Sequence, residues 1–553
     1  MLWKKESTEE HAFYEDIIAN NGGADALKMT FTHVRYEEQV KSNKDDKLSL
    51  DKRKMGNKFF KQEKWADAME MYNASLRYAE NGSENISLAY ANRSNCFLKL
   101  KRYNECLVDI QLAKEARYPP ESIEKLNRRE EECLKHITDG AESTKYEAIL
   151  DFEPDEKFPC MANVLEIKND SDGDLRLFAK DKIDVGQTIV VEKALINYIY
   201  SRYSWRCDVC LKEYANFVPC DKCVFAMFCD DCRNNQLHQY ECGVRFSWNV
   251  NSEAISINGT IMSIVRSCLW AIDLFASVDE LMVFVERVIT SDPKRIPNSL
   301  SDAKSQYEAF LKLPRLRTNI NIPCILYECN RMLMNIPKIE HTFNSVKHHR
   351  FLMHLIGHHA FILKSHSIPT IPDTDCHRSE QGLPTTVCCT QTGLMRQYIN
   401  VSCYPNVMEH SHDGQAVVIA IRPILKGQQL FNTSLFGHLF DSKERRHEIL
   451  RDRYEITCKC ERCEGHLASD EQRKRITSDP NFRYLKRVKL NIKEICADKK
   501  RQQTLDDKYK SCLRKFGQMP WCDLVGKLLV EYMILKMATM RSAVSTETAH
   551  QTD

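Results

Sequence analysis

The stretch 207–242, CDVCLKEYANFVPCDKCVFAMFCDDCRNNQLHQYEC, constrains this chain more than any other. Its potential metal ligands are Cys207, Cys210, Cys220, Cys223, Cys229, Cys232, His238 and Cys242. Eight nitrogen and sulfur donors suffice for two closed tetrahedral zinc sites. Each C-x2-C pair can bite one metal, because its turn brings both thiolates to the same side. Interleaving Cys207/Cys210 with Cys229/Cys232, and Cys220/Cys223 with His238/Cys242, would cross-brace a module of 36 residues, too small to have a core. No ligand looks replaced by water, so these zincs read as structural rather than catalytic. One C-x-x-C would carry little weight; four ordered pairs carry far more.

The cellular compartment supports metal over disulfide. The opening MLWKKESTEEHAFYED is charged from its fourth residue and has no apolar run of the kind a secretory signal needs. No stretch reaches the roughly 18 apolar residues of a membrane span, and VVIAIRPIL is broken by Arg422 and Pro423. The expectation is a chain in the reducing cytosol or nucleus, without membrane contact. There, paired cysteines are more often zinc ligands than disulfides. Of the 24 cysteines, eleven fall in short-spaced groups at 207–242 and 403–463. Lysine plus arginine number 79 against 77 acidic residues, so a grip on nucleic acid by bulk charge is excluded. At 553 residues, with 43% apolar and 28% charged, the composition is that of a globular chain of several domains.

Residues 53–113 contain an internal repeat. Gly56-Asn57…Phe60…Trp65…Ala68…Tyr72…Ser75 lies over Ser94-Asn95…Leu98…Tyr103…Cys106…Ile110…Ala113 at a constant offset of 38. Small residues alternate with bulky ones at helical spacing, as two closely packed helices require. The period is that of a tetratricopeptide unit plus four residues, which fit the loop around Ala79–Ser87. The segment YANRSNCFLKLKRYNECLVDIQLA resembles that repeat family, and 121–137 reads as a charged capping helix. Two roles are open: a peptide-binding groove, or a buttress for the next domain. Two repeats make a shallow groove and no basic clamp is visible, so the buttress or a weak interaction surface is favoured.

Around the cysteine module the pattern changes. Residues 158–198 alternate in short runs, NVLEIKN, LRLFAKDKI and QTIVVEKALI, punctuated by Gly173 and Gly186, as in a small β-sheet. Helical periodicity fills 258–366, strand signals return at 416–431, and Cys458-x-Cys460-x2-Cys463 forms a last tight group. The order of ligands in 207–242 resembles a MYND zinc finger, departing from it in the C-x2-C at Cys229/Cys232, where the family usually has one more residue. The whole layout resembles the SET-and-MYND-domain family of protein-lysine methyltransferases, in its subtype with N-terminal tetratricopeptide repeats. The residues that carry this are LRLFAKDKIDVGQTIVVEKAL, the finger, NVSCYPN at 400–406, KGQQLF at 426–431 and YEITCKCERC at 454–463.

The resemblance implies an α+β multidomain fold with a SET β-fold interrupted by the finger and a helical insert. The expected division is an N-terminal segment 1–50, helical repeats 51–138, a first SET segment 155–206, the finger 207–242, a helical insert 258–370, a second SET segment 371–456, a post-SET zinc segment 457–465 and C-terminal helices 466–553. It also implies a third zinc, held by Cys403 with Cys458, Cys460 and Cys463. S-adenosylmethionine is the implied cofactor. Protein partners are expected through the finger and the repeats, among them transcriptional repressor components or histones, in nucleus and cytoplasm, with no direct nucleic-acid contact.

Methyl transfer to lysine needs donor and amine held in line, and an apolar channel that favours the uncharged amine. Several residues implied for that task are altered here. Asp174 stands at the glycine of the first cofactor loop, where a backbone would approach the cofactor closely. The Asn-His-Ser-Cys motif is Asn400-Val401-Ser402-Cys403; Asn400 keeps its hydrogen-bonding amide while Val401 loses the histidine's polar contacts. Ser434 or Leu435 takes the place of the active-site tyrosine, and no tyrosine occurs between Tyr404 and Tyr454. Ile456 replaces the aromatic that lies on the cofactor, and His359 stands for an asparagine of the insert. These changes converge on one pocket and favour an impaired catalyst over an active one.

Other clusters read more plainly. His348, His349, His354, His358, His359 and His366 share a predicted helix, whose half-buried face is favoured over a metal site because no H-E-x-x-H follows. His410 and His412 are expected in a solvated polar loop, and Cys376-His377 and Cys388-Cys389 stay unassigned. The run Arg473, Lys474, Arg475, Lys486, Arg487, Lys489 reads as a solvated face. DLVGKLLVEYMILKMATM is expected to be the most amphipathic C-terminal helix, in a helical region shortened against the family's.

Overall fold

The computed structural model describes residues 43–140, 146–199, 206–212, 216–235, 237–242, 252–292, 299–314, 322–366, 368–370, 389–433, 436–454, 456–491, 494–495 and 498–540. Ser434, Leu435, Cys376-His377 and Cys388 lie outside these residues, as do the first 42 and the last 13.

The repeat folds as its spacing predicts. Helices α1 (Asp46–Lys61), α2 (Trp65–Tyr78), α3 (Glu84–Lys99) and α4 (Tyr103–Glu115) pack as successive pairs, α1 on α2 and α3 on α4. Asp45 caps α1 by accepting from the Lys47 and Leu48 amides, and Ser83 caps α3. The small residues are where helices meet. A Cβ added to Gly56 would lie 2.5 Å from the Tyr72 ring, and Ala68, Ser94 and Ala113 are fully buried. The charged helix α5 (Ile123–Thr138) packs on α4 and buries only Leu126 and Cys133 of its own residues.

The sheet is made of segments far apart in sequence. β1 (Leu165–Asn169) pairs antiparallel with β2 (Leu175–Ala179). β3 (Thr188–Lys193) pairs not with β4 (Ile196–Ile199) but with β11 (Gln415–Ala420), itself in a hairpin with β10 (Val407–His412). The strands in between fall in sequence as β5 (Val218–Pro219), β6 (Met227–Phe228), β7 (Ile368–Thr370), β8 (Cys389–Thr392) and β9 (Asn400–Val401). β4, β7 and β8 form a second sheet, and β9 runs parallel to β12 (Phe431–Asn432). The cysteine module and a long helical segment are thus inserted between strands that pair with each other.

That helical segment comprises a short helix α6 (Leu237–Glu241) closing the cysteine module, then α7 (Ser252–Asp273), α8 (Val278–Thr290), α9 (Ala303–Leu311), α10 (Ile322–Met334), α11 (Pro337–Thr342) and α12 (Val346–His366). It packs on one face of the central strands. After the strands come α13 (Lys443–Tyr454), α14 (Asp470–Ser478), α15 (Pro480–Arg487), α16 (Lys499–Phe516) and α17 (Asp523–Thr539), which cover the opposite face. β11 shows both faces buried: Val418 and Ala420 join the core of the helical insert, while Val417 and Ile419 join the C-terminal core. A strand covered on both sides is apolar throughout, which is why AVVIAI shows no alternation.

Three expectations are corrected here. His410 and His412 lie on a strand, and His412 is buried, with its Nε2 3.2 Å from the Tyr146 carbonyl oxygen. The cause is the turn Asp413-Gly414, both with positive φ (53° and 78°), a two-residue hairpin connection. His354 and His358 are buried rather than half-buried, because α12 is packed by α7, α9 and α10. Helix α17 is not amphipathic. Val525, Leu528, Leu529, Tyr532, Met533, Leu535 and Ala538 are buried, and on the remaining face Val530 and Met537 are partly buried against the same C-terminal core. Among the described residues no helix is long and apolar enough to cross a membrane.

Candidate metal centres and cofactor segment

The cysteines gather in three groups of four: Cys207, Cys210, Cys229 and Cys232; Cys220, Cys223, His238 and Cys242; Cys403, Cys458, Cys460 and Cys463. Within each, all four ligand atoms lie within 4.8 Å of one another. Sγ atoms of Cys210 and Cys229 are 3.6 Å apart, those of Cys220 and Cys242 3.7 Å, and Cys223 Sγ is 3.5 Å from His238 Nε2. Two thiolates on one tetrahedral zinc, each bonded at about 2.3 Å, stand about 3.8 Å apart. The donor sets and their spacing therefore fit zinc, with no position left for water. The β5–β6 hairpin delivers the interleaving, since it sets Cys220/Cys223 and Cys229/Cys232 on successive turns.

The first group is welded to the helical repeats. Cys207, Phe217, Met227, Cys229 and Cys232 share one hydrophobic core with Tyr72, Tyr90, Phe97 and Ile110. At its centre the Arg93 guanidinium, fully buried, pairs with Asp109 and donates to Asn73 Oδ1 (2.6 Å) and to the Phe217 carbonyl (2.9 Å). Asn216 Nδ2 donates back to Asp109 Oδ1 at 2.7 Å and to the Glu105 carbonyl at 2.8 Å. This surface of the repeats is filled by the chain's own cysteine module.

The third group lies beside the segment expected to hold the cofactor. β9 carries Asn400 and Val401, and Ser402 N–H donates to the Asn432 carbonyl at 2.9 Å, extending the parallel pair toward Cys403. Asn406, in the loop after β9, holds the segment entering β12, donating to the Gln429 carbonyl (2.8 Å) and accepting from the Phe431 amide (2.7 Å). Val401 packs against the third cysteine group with Ile449 and Leu450. Helix α13 adds two donors: His447 Nε2 is 3.3 Å and Arg446 Nη2 3.7 Å from Cys463 Sγ.

The other predicted site residues take these places. Asn400 Oδ1 accepts from the Val401 amide at 2.8 Å, which leaves its Nδ2 without a partner among the described residues. Asp174 follows Gly173, at φ 76°, in the β1–β2 turn, and its carboxylate pairs with Arg176 at 3.1 Å. Ile456 is half-buried after α13, its amide donating to the Leu450 carbonyl. His359 stands apart from all of these. Fully buried among α7, α9 and α12, it bonds Ser267 Oγ through Nδ1 (2.9 Å) and Tyr307 OH through Nε2 (3.2 Å). The anchors Arg93, Asp109 and Asn216, and the donors Arg446 and His447, escaped the sequence reading; their partners lie on other elements and leave no local pattern.

A cleft of about 1350 Å³ runs between the repeats, the cysteine module and β3, lined among others by Glu105, Glu192, Asp208, Lys212 and Arg266. Asn400, Val401, Ser402 and Ile456 are not part of its wall. Burial raises the Asp208 carboxyl there to about 6, against the Met227 amide that it accepts.

Residues 174–433 match the SET domain family model. The chain is 25% identical to the protein-lysine N-methyltransferase SMYD4 of Danio rerio over 273 residues, 44% of this chain and 36% of that protein. The Mus musculus protein of the same name is 35% identical over 94 residues, 17% of this chain and 12% of its own length. The Homo sapiens protein is 32% identical over 123 residues, 22% and 15% respectively. These matches thus span a third or less, or little more than a third, of the curated relatives. The SET domain is thus assembled across an inserted cysteine module, and relatives of this kind support membership of the SET-and-MYND family.

Proposed function

We propose that this chain is a SET-and-MYND-type protein-lysine N-methyltransferase homologue, of the subtype with tetratricopeptide repeats, whose cofactor pocket is degenerate. Methyl transfer is weak or lost, and the fold works as an interaction scaffold in transcriptional regulation, for histones, other proteins or repressor components, in nucleus and cytoplasm. Three zinc ions brace it: Cys207, Cys210, Cys229 and Cys232 hold one, Cys220, Cys223, His238 and Cys242 the second, Cys403, Cys458, Cys460 and Cys463 the third.

The observation that carries this reading is where the nearby tyrosines are. Tyr404, next to Cys403, donates its hydroxyl to the Met519 carbonyl at 2.7 Å, with the Arg422 guanidinium 3.7 Å above its ring. Tyr398, on the other side of Asn400, is buried in the core of the insert. Both are committed, and the sequence offers no other before Tyr454. The residues at the expected contacts also fit S-adenosylmethionine poorly: among the described residues Asn400 brings one open donor group, Val401 brings no polar side chain, and Asp174 brings a carboxylate already engaged by Arg176.

The names of the relatives favour a second reading, an active S-adenosylmethionine-dependent protein-lysine methyltransferase. Incubation with methyl-labelled S-adenosylmethionine, histone octamers and a lysine-peptide array separates the two. The scaffold reading expects label at or barely above a heat-inactivated control; multiple-turnover label on lysine would overturn it.

A further inference from the structure

We infer that Glu192 is a positioning residue, whose buried carboxylate holds the turn that delivers Asn400–Cys403 to their place beside β12. Glu192 sits near the end of β3 and is 7% exposed. Its Oε1 accepts from the Leu394 amide at 2.6 Å and the Met395 amide at 3.2 Å, and its Oε2 from the Met395 amide at 3.0 Å. Those N–H groups open the 3-10 turn Met395–Tyr398, where helical turns leave donors without internal partners. The turn runs straight into β9.

The residue before the turn fits the same purpose. A Cβ added to Gly393 would collide with the Glu192 carboxylate, so the glycine makes room for this close approach. A second carboxylate also holds the turn. Glu409 on β10 takes Arg396 Nη1 at 3.1 Å and Asn432 Nδ2 at 3.0 Å, tying the turn to the strand that pairs with β9. The segment is clamped between β3 and β10, the two partners of β11. Burial raises the Glu192 carboxyl to about 7 despite the amides that stabilise its anion, so the chain places an expensive group where an apolar one would pack. An apolar side chain there would orphan the amides of the turn.

The inference rests on the cofactor-segment reading only for its functional consequence; the position itself is directly measurable. Hydrogen exchange of the full zinc-loaded chain, read peptide by peptide, compares Glu192→Ala, Glu192→Gln and Gly393→Ala with the parent. In Glu192→Ala, amides 394–403 are expected to exchange at least about tenfold faster, with α1–α5 unchanged. Glutamine keeps an acceptor oxygen in the same place and is expected to restore protection to within about threefold. Gly393→Ala, which displaces the carboxylate, is expected to reproduce Glu192→Ala, and it carries the test with Glu192→Gln if the alanine variant does not fold. Unchanged exchange over 394–403 in the alanine variants, or a glutamine variant as damaged as alanine, would overturn the inference. Label transfer to lysine, which would sink the scaffold reading, leaves this comparison untouched.

Discussion

Arg93 and Asp109 meet as a bidentate ion pair with both side chains fully buried, Nε to Oδ2 at 2.7 Å and Nη2 to Oδ1 at 2.6 Å. The pair sits where α3, α4 and the loop before β5 converge, so two helices of the repeats and the cysteine module share one charge. Removing one partner strands the other in a medium that cannot solvate it. Asp109→Ala is expected to lower stability by about 3–5 kcal/mol. The double variant Arg93→Met with Asp109→Leu, which removes both charges, is expected to lose distinctly less. Denaturant unfolding of the two variants and the parent checks the sign of that difference.

Gly56 sets two physical effects against each other. Alanine in a helix interior gains about 1 kcal/mol over glycine. Here its Cβ would lie 2.5 Å from the Tyr72 ring, and Tyr72 is pinned by a 2.9 Å bond to Asn57 Oδ1. Overpacking of a fixed ring costs about 1–3 kcal/mol, so the clash wins. Gly56→Ala is expected to lower the melting temperature; a rise would show that the ring yields.

The metal groups differ in what they support. The first shares its core with the repeats, whereas the third packs with Ile449, Leu450 and Val401. Cys207→Ser is expected to lower zinc content by about one ion per chain and to raise exchange across α2–α4. Cys403→Ser is expected to lose a similar amount of zinc while α2–α4 stay protected. Elemental analysis with peptide-level exchange reads both, and equal loosening of α2–α4 would contradict the division.

The short-spaced cysteines were readable in the sequence because a metal site built from C-x2-C pairs is a local pattern, and the 38-residue offset was readable because each repeat restates its own packing. His412 was misread although its signal was present: Asp413-Gly414 between alternating segments is a hairpin turn, and the polar EHSH run hid the strand. The anchoring of the finger was beyond local reading. Asn216 reaches Asp109 across more than a hundred residues, and neither residue type nor neighbourhood announces it. Helix α17 was misjudged because a burial pattern that depends on α16 and Trp521 is decided by tertiary packing, not by period. The segment 400–403 is expected to meet the cofactor by resemblance alone, while Glu192 is an ordinary glutamate in an apolar strand until the fold brings Leu394 to it.

Acid should weaken the helical insert through His359. Burial, with His358 beside it, holds its pKa well below the ordinary imidazole value, so the native ring is neutral. An unfolded histidine titrates near 6.5, hence the unfolded state binds more protons below that pH and stability falls as pH drops. The expected signature is a loss of melting temperature between pH 7.5 and 5.5 that is smaller in His359→Gln than in the parent. The opposite ordering would mean that the ring is already protonated when folded.

Whether the segment around Asn400 still receives S-adenosylmethionine separates a scaffold from a catalyst. Calorimetric titration of the zinc-loaded chain with S-adenosylmethionine asks this directly. With one open amide donor at Asn400, an apolar Val401 and an engaged Asp174, binding is expected to be absent or no tighter than about millimolar. Saturable binding at about micromolar concentration would contradict the degenerate pocket and return the chain to its family's active members.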